Sequence, residues 1–291
     1  MTVLTFLKLI RAPAGFTAIS NILAAAVIAS SNQLNADLIL LITASVLFYF
    51  SGMALNDCFD YQEDLAERPQ RPIPSGELSL KAAWLIGFTL MSAALVCAFC
   101  YSTASGYIGL ALASAIILYN GFIKQGLLGS MCMASCRYFN WLLGASFVAL
   151  SVNSWLFSLP IFFYITGLTL LSKQETHGRD KNAVWFCAIM IALTTISAVY
   201  LIVEIFTLST QQQIIAALLI AAWFAMMASK LIKVFKHFQP QNIQQLIGWM
   251  VIGVIPLDAL LVALSGEYLF SLIILALLPP CRMLNKYLYV T

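Results

Sequence analysis

Charge is the scarcest property of this chain. Asp, Glu, Lys and Arg together make up 9% of its 291 residues, against 62% hydrophobic. An average soluble domain is about 25% charged, so that class is excluded, and a mean hydropathy of +0.92 points to a polytopic membrane protein. The net charge is only +3 and comes from loops between apolar runs, which removes nucleic acid as a partner. No small-residue cleavage site follows the first apolar run, so it is expected to stay as a helix rather than leave as a signal peptide. Histidine is missing near Cys132 and Cys136, and Cys97 and Cys100 are no metal site by themselves, so zinc is not expected; with the seven cysteines mostly inside spans, neither disulfides nor haem attachment is suggested. A thiol in a span packs as a small apolar group.

Apolar runs of spanning length, about 20 residues, fall near 12–31, 36–56, 82–101, 105–123, 127–151, 154–172, 183–205, 212–232, 244–265 and 268–284. The expectation is an all-α polytopic bundle of nine core transmembrane helices plus a tenth C-terminal segment, forming one domain over 1–291. Pro279 and Pro280 leave a re-entrant form of that last segment open. The stretches near 32–36, 102–104, 152–154, 206–211 and 266–267 contain no Lys or Arg. Every other loop carries some, so the positive-inside rule places both termini and the polar loops 57–81 and 173–182 in the cytosol. Those two loops resemble a weak internal duplication, which would set two charged clusters across one cavity.

The chemistry gathers at residues 56–64, Asn-Asp-Cys-Phe-Asp-Tyr-Gln-Glu-Asp, at the end of the second run. On a helix Asn56, Asp60 and Asp64 share a face, as do Asp57, Asp60 and Asp64. Clustered carboxylates beside an apolar phase are costly without a cation. Mg²⁺ suits them, because it takes oxygen ligands and shares its remaining positions with phosphates and water. A solvated acidic loop is the plainer alternative.

Asn56, Asp57, Asp60 and Asp64 fit the NDxxDxxxD motif of the UbiA superfamily of membrane prenyltransferases. Arg68, Pro69, Arg71, Pro72, Ile73, Pro74, Ser75 and Gly76 resemble the basic, Pro-rich loop that follows it there. The resemblance runs to about residue 265, and Tyr119 and Lys124 look like the family's Tyr and Lys at the end of span four. In the second acidic motif, Glu175-Thr176-His177-Gly178-Arg179-Asp180, Arg179 stands where an Asp is expected. That departure resembles the divergent EboC branch, as do Cys136, Arg137, Asn140, Leu142, Leu143 and Gly144 and the terminal Tyr289-Val290-Thr291.

The resemblance implies a Mg²⁺-dependent transferase in a bacterial inner membrane. Its partners would be an isoprenyl diphosphate, a lipophilic or aromatic acceptor and membrane lipid. The implied metal ligands are Asn56, Asp57, Asp60, Asp64 and Glu175. Asp60, Asp64 and Lys124 are the candidate catalytic residues, and Arg68, Arg71, Arg137, Asn140, Lys173 and Tyr119 the candidate substrate-binding residues. Arg and Lys suit a departing diphosphate as a fork and a point charge respectively.

Arg137 is a charge inside a span, which normally faces a wet cavity or a partner. It is expected to line the cavity with Asn140, or else to pair with Asp258, the other charge inside a span. Arg11 is read as a membrane-boundary residue, and Phe59, Tyr61, Tyr119 and Tyr138 as aromatics near the cytosolic ends that could shield an allylic cation. His177 is either a proton acceptor or simply solvated. Two other functions compete with the transferase: a non-catalytic lipid-binding or transport-associated protein of the same fold, and an ion-coupled transporter built on Arg137 and Asp258.

Overall fold

A computed structural model describes residues 2–173 and 181–288, and all the regular structure among them is helical. A short α1 (Val3–Leu9) and a 3₁₀ turn (Ala12–Ala14) lead into α2 (Gly15–Ser30) and α3 (Leu38–Phe59). The motif helix α4 (Tyr61–Glu67) precedes α5 (Leu80–Tyr101), α6 (Thr103–Gly121), α7 (Gly126–Ala145), α8 (Val152–Phe157) and α9 (Leu159–Ser172). Beyond the second polar loop come α10 (Lys181–Tyr200), α11 (Thr210–Lys236), α12 (Pro240–Ile252), α13 (Val254–Leu264), α14 (Tyr268–Leu275) and α15 (Leu278–Leu288). Hydrocarbon offers the backbone no hydrogen bonds, so spanning segments of this composition must be helical.

Among the described residues eight helical stretches are long and apolar enough to cross a membrane, and a ninth if α12 and α13, bent by 51°, form one span. The fifth expected span coincides with α7, which is not among them because Ser130, Ser135, Arg137 and Asn140 lower its apolarity. The spans end where capping residues stand. Ser102 alone separates α5 from α6, its backbone extended and its hydroxyl accepting from Ser105 N at 3.0 Å. Ser209 and Gln212 form a capping box at the start of α11.

Two buried clusters share α2 and α7. One joins them to α3, α5 and α6 through Ile22, Phe48, Leu55 and Leu142, the other to α9 through α13 through Trp141, Tyr164, Ile191 and Met250. Lipid-facing helices lack a hydrophobic drive to associate, so close contact depends on small residues. Ala24, Ala25 and Ala26 on α2 are fully buried, and a Cβ on Gly144 of α7 would lie 2.8 Å from both Ala25 Cβ and Ile22 O. The outward faces keep large apolar side chains such as Leu85, Ile196, Leu218 and Leu272 exposed, as lipid contact requires. A third, small cluster of Leu9, Ala54, Cys58, Ile73, Leu78 and Ala83 pins the Pro-rich loop beneath the motif.

Candidate functional site

The helix of α3 pauses at Asp60 and resumes as α4, yet Asp60 N still bonds Asn56 O and Asp64 N still bonds Asp60 O. The backbone therefore keeps the expected spacing of four, but the side chains diverge. Asp57 accepts from Arg11 Nη2 at 3.0 Å and lies 3.3 Å from Arg71 Nη1. Asp64 accepts from the same Arg71 nitrogen at 2.6 Å, with Arg68 at 3.7 Å. Asp60 pairs with Lys124 and accepts from Asn56 Nδ2 at 3.0 Å. The single acidic face expected from spacing is thus opened out, because each carboxylate turns to the nearest fixed cation rather than stay unneutralised beside an apolar phase.

Among the described residues no group of three or more His, Cys, Asp or Glu side chains could hold a metal by themselves. The donors still suit Mg²⁺, which is ordinarily bound by one or two carboxylates with phosphates and water completing its shell. Asn56 and Asp60 are neighbouring oxygen-bearing groups, and Asp60 is the least buried of the three Asp side chains, 14% exposed against 4% for Asp57 and 1% for Asp64.

Lys124 is aimed by its own loop. Lys173 Nζ donates to the carbonyls of Lys124 at 2.6 Å and Gly126 at 3.2 Å. A Cβ on Gly129 would lie 2.4 Å from Lys124 O and 2.9 Å from Lys173 Nζ, so only glycine admits this clasp. Burial, and then the ammonium of Lys124, pull the Lys173 pKa below its ordinary value. Sequence reasoning expected Lys173 against substrate; its observed partners are backbone carbonyls.

A cavity of about 680 Å³ lies alongside this cluster, walled by Phe48, Tyr49, Leu112, Ile116, Ile165 and Leu168 and by the polar groups Arg11, Tyr119, Asn120, Arg137, Asn140, Arg282 and Asn285. Arg11 belongs to both, since its guanidinium borders the cavity and binds Asp57. Arg11 stands just before the span Ala12–Ser30, as the boundary reading expects, and reaches the site as well. Its backbone is left-handed, with φ 47 and ψ 53, which a non-glycine residue adopts at a cost of about 1–2 kcal/mol. Nothing in the local sequence signals this, as the 3₁₀ turn and α2 set its position. Among the described residues no Asp or Glu lines the cavity, and Arg137 makes no carboxylate ion pair.

Arg137 instead donates to Asn21 Oδ1 at 3.3 Å and stands 5.5 Å from the Tyr49 ring centre. Asn140 Nδ2 donates to the same oxygen at 3.3 Å, and Asn140 Oδ1 accepts from Ser45 at 2.7 Å. The alternative direct Arg137–Asp258 pair is not observed. Asp258, fully buried, is held by Ser20, by Asn21 Nδ2 at 2.7 Å and by Trp141 Nε1 at 3.0 Å. Tyr138 is likewise corrected, because its hydroxyl donates to Trp155 O next to a loop without basic residues, so it does not belong to the motif end. Phe59 does, edge-on to Trp84 at 4.7 Å. Glu175, His177, Arg179 and Asp180 lie outside the described residues.

Comparison with known proteins agrees with this architecture. Matched relatives include the digeranylgeranylglyceryl phosphate synthases of Methanosarcina barkeri, 33% identical over 159 residues (50% of this chain, 55% of that protein), and Metallosphaera sedula, 28% over 149 residues (50% of each). The chain thus spans about half the length of these curated relatives. A solved structure concerning digeranylgeranylglyceryl phosphate synthase in membranes superposes with a TM-score of 0.71 at 19% identity, covering 91% of this chain and 97% of the other. A UbiA homologue from Archaeoglobus fulgidus bound to GPP and Mg²⁺ superposes with a TM-score of 0.65 at 15% identity, covering 90% and 99%. These two likenesses speak for the fold. The UbiA prenyltransferase family profile matches residues 18–251, most of the chain, and this all-helical membrane protein belongs to that family.

Proposed function

We propose that the protein transfers an isoprenyl group from its diphosphate to a lipophilic acceptor in a Mg²⁺-dependent reaction. The observation that carries this reading is a carboxylate and cation cluster joined through Arg11 to a membrane-embedded cavity with two further arginines on its wall. Asn56 and Asp60 would hold the metal, with Asp57, Asp64 and Glu175 as further candidate ligands, and a metal held there would neutralise diphosphate charge and so favour loss of the leaving group. Lys124, Arg68 and Arg71 bind the diphosphate oxygens by charge-assisted hydrogen bonds. Arg68 is the freest of these, half exposed and 3.7 Å from its carboxylate. Tyr119 and Tyr49 border the apolar space that receives the chain.

The acceptor we favour is a lipid bearing a glyceryl phosphate, as the names of the matched relatives suggest. Arg137, Asn140 and Arg282 would contact its polar head, being cationic and polar groups on a wall with no carboxylate among the described residues. In the transfer the allylic carbon loses diphosphate and bonds the acceptor hydroxyl oxygen, whose proton departs. An aromatic acceptor is the second choice, since the names of the matched relatives point to a glyceryl phosphate instead. The Lys and Arg distribution supports placing the motif end in the cytosol.

One observation favours the non-catalytic alternative: all three motif aspartates are already neutralised by protein cations. Purified protein with Mg²⁺, labelled isoprenyl diphosphates and either acceptor class separates the readings. Diphosphate release that needs both Mg²⁺ and Asp60, tested with Asp60→Asn, is the expected result. Binding without release would overturn the transferase.

A further inference from the structure

Asp258, on α13, is fully buried, and the chemistry proposed above does not use it. Its two oxygens receive three donors, Ser20 Oγ and Asn21 Nδ2 on Oδ2 and Trp141 Nε1 on Oδ1. All four residues are fully buried. A carboxylate is an acceptor only and a guanidinium a donor only. Asn21 lies between the two, so its amide has one allowed orientation: Nδ2 toward Asp258, Oδ1 toward Arg137 and Asn140.

We propose that Asp258 is a positioning residue for the cavity, acting through Asn21 to aim Arg137 and Asn140 at the polar head of the acceptor. This rests on the reading that Arg137 touches the acceptor. Asn21 Oδ1 is the meeting point of both cavity donors, each at 3.3 Å, and Ser45 holds Asn140 from its other side at 2.7 Å. The path therefore runs from α13 through α2 to α7 without leaving buried side chains until it reaches the cavity wall.

Substituting Asp258→Asn replaces one acceptor oxygen by a donor while all three donors remain. If the new amide nitrogen faces Asn21, that side chain must flip and turn its own NH₂ on Arg137. If it faces Trp141, two donors confront each other in the core. The exchange Asn21→Asp with Asp258→Asn repairs both, because the carboxylate then sits against Arg137 and Asn140 and accepts from the new amide, whose oxygen still accepts from Trp141. Ser20 already has a second acceptor, Thr17 O at 3.0 Å.

The test is steady-state transfer from geranylgeranyl diphosphate to geranylgeranylglyceryl phosphate in nanodiscs. Beside it runs the thermal-midpoint shift that the acceptor alone produces, measured on the monodisperse fraction of each variant. Asp258→Asn is expected to raise the acceptor KM about tenfold, the order lost with one charged hydrogen bond, while the donor KM stays within about twofold. It should shrink the acceptor-induced midpoint shift in parallel. Arg137→Gln should behave alike, and the double exchange should return the acceptor KM to within about threefold of the parent. If Asp258→Asn does not fold, Asn21→Ala, which leaves Asp258 with Ser20 and Trp141, must give the same rise.

A purely structural role predicts lower stability with an unchanged acceptor KM, and that result overturns the proposal if Arg137→Gln does raise it. If Arg137→Gln leaves both KM and midpoint shift unaltered, the underlying reading of Arg137 fails, and the proposal with it.

Discussion

Arg71 is the residue on which the motif end depends for charge balance. Its side chain is 13% exposed and its Nη1 serves Asp57 at 3.3 Å and Asp64 at 2.6 Å, themselves 4% and 1% exposed. Removing one member of a buried ionic group costs about 3–5 kcal/mol, because the remaining charge stays desolvated. Arg71→Met would leave Asp57 its contact with Arg11 at 3.0 Å, but Asp64 only a half-exposed Arg68 at 3.7 Å. The expected loss is therefore near the lower end, about 3 kcal/mol. At about 2–4 °C per kcal/mol this lowers the unfolding midpoint by about 6–12 °C, read by intrinsic tryptophan fluorescence in detergent. Adding Asp64→Asn removes the orphaned charge and should recover about half of the loss, since contacting residues are not additive. A fall below about 1 kcal/mol, or strict additivity of the two substitutions, would refute the argument that Arg71 compensates two buried carboxylates.

Asp60→Asn should abolish Mg²⁺-dependent diphosphate release while leaving the midpoint within a few degrees, and retained release would remove Asp60 from the metal site. Gly129→Ala should push Lys173 off the Lys124 and Gly126 carbonyls, costing about 1–3 kcal/mol by overpacking and raising the donor KM. An unchanged donor KM would show that Lys124 needs no such clasp. The depressed Lys173 pKa makes its charge a penalty to the folded state at neutral pH. The unfolded chain binds the extra proton between the lowered folded value and the ordinary 10.5, so stability should gain as pH rises through that window. Lys173→Met should lose that gain, which equal pH slopes of the midpoint in the two proteins would disprove. Gly144→Ala should destabilise by about 1–3 kcal/mol, because its methyl would meet the backbone of Ile22; an unchanged midpoint would show that α2 and α7 can separate freely.

The sequence by itself determined the all-helical membrane class, the runs that become helices, the motif at the end of α3 and the presence of Arg137 and Asn140 at a cavity. Each depends on local chemistry: apolar length, helical spacing, or the cost of a charge in hydrocarbon. Tertiary structure alone decided the pairings. Asp57 and Asp64 meet Arg71 because the Pro-rich loop folds back over its small apolar base, and Asp60 meets Lys124 because α6 ends beside α3. Arg11 enters the cavity through a left-handed residue with no signature in its neighbours. Asp258 joins Arg137 through Asn21, whose partners stand more than 110 positions away in the chain. Which cation a carboxylate chooses, and which end an amide presents, follow from packing distance in three dimensions, a quantity that residue spacing along the chain does not carry.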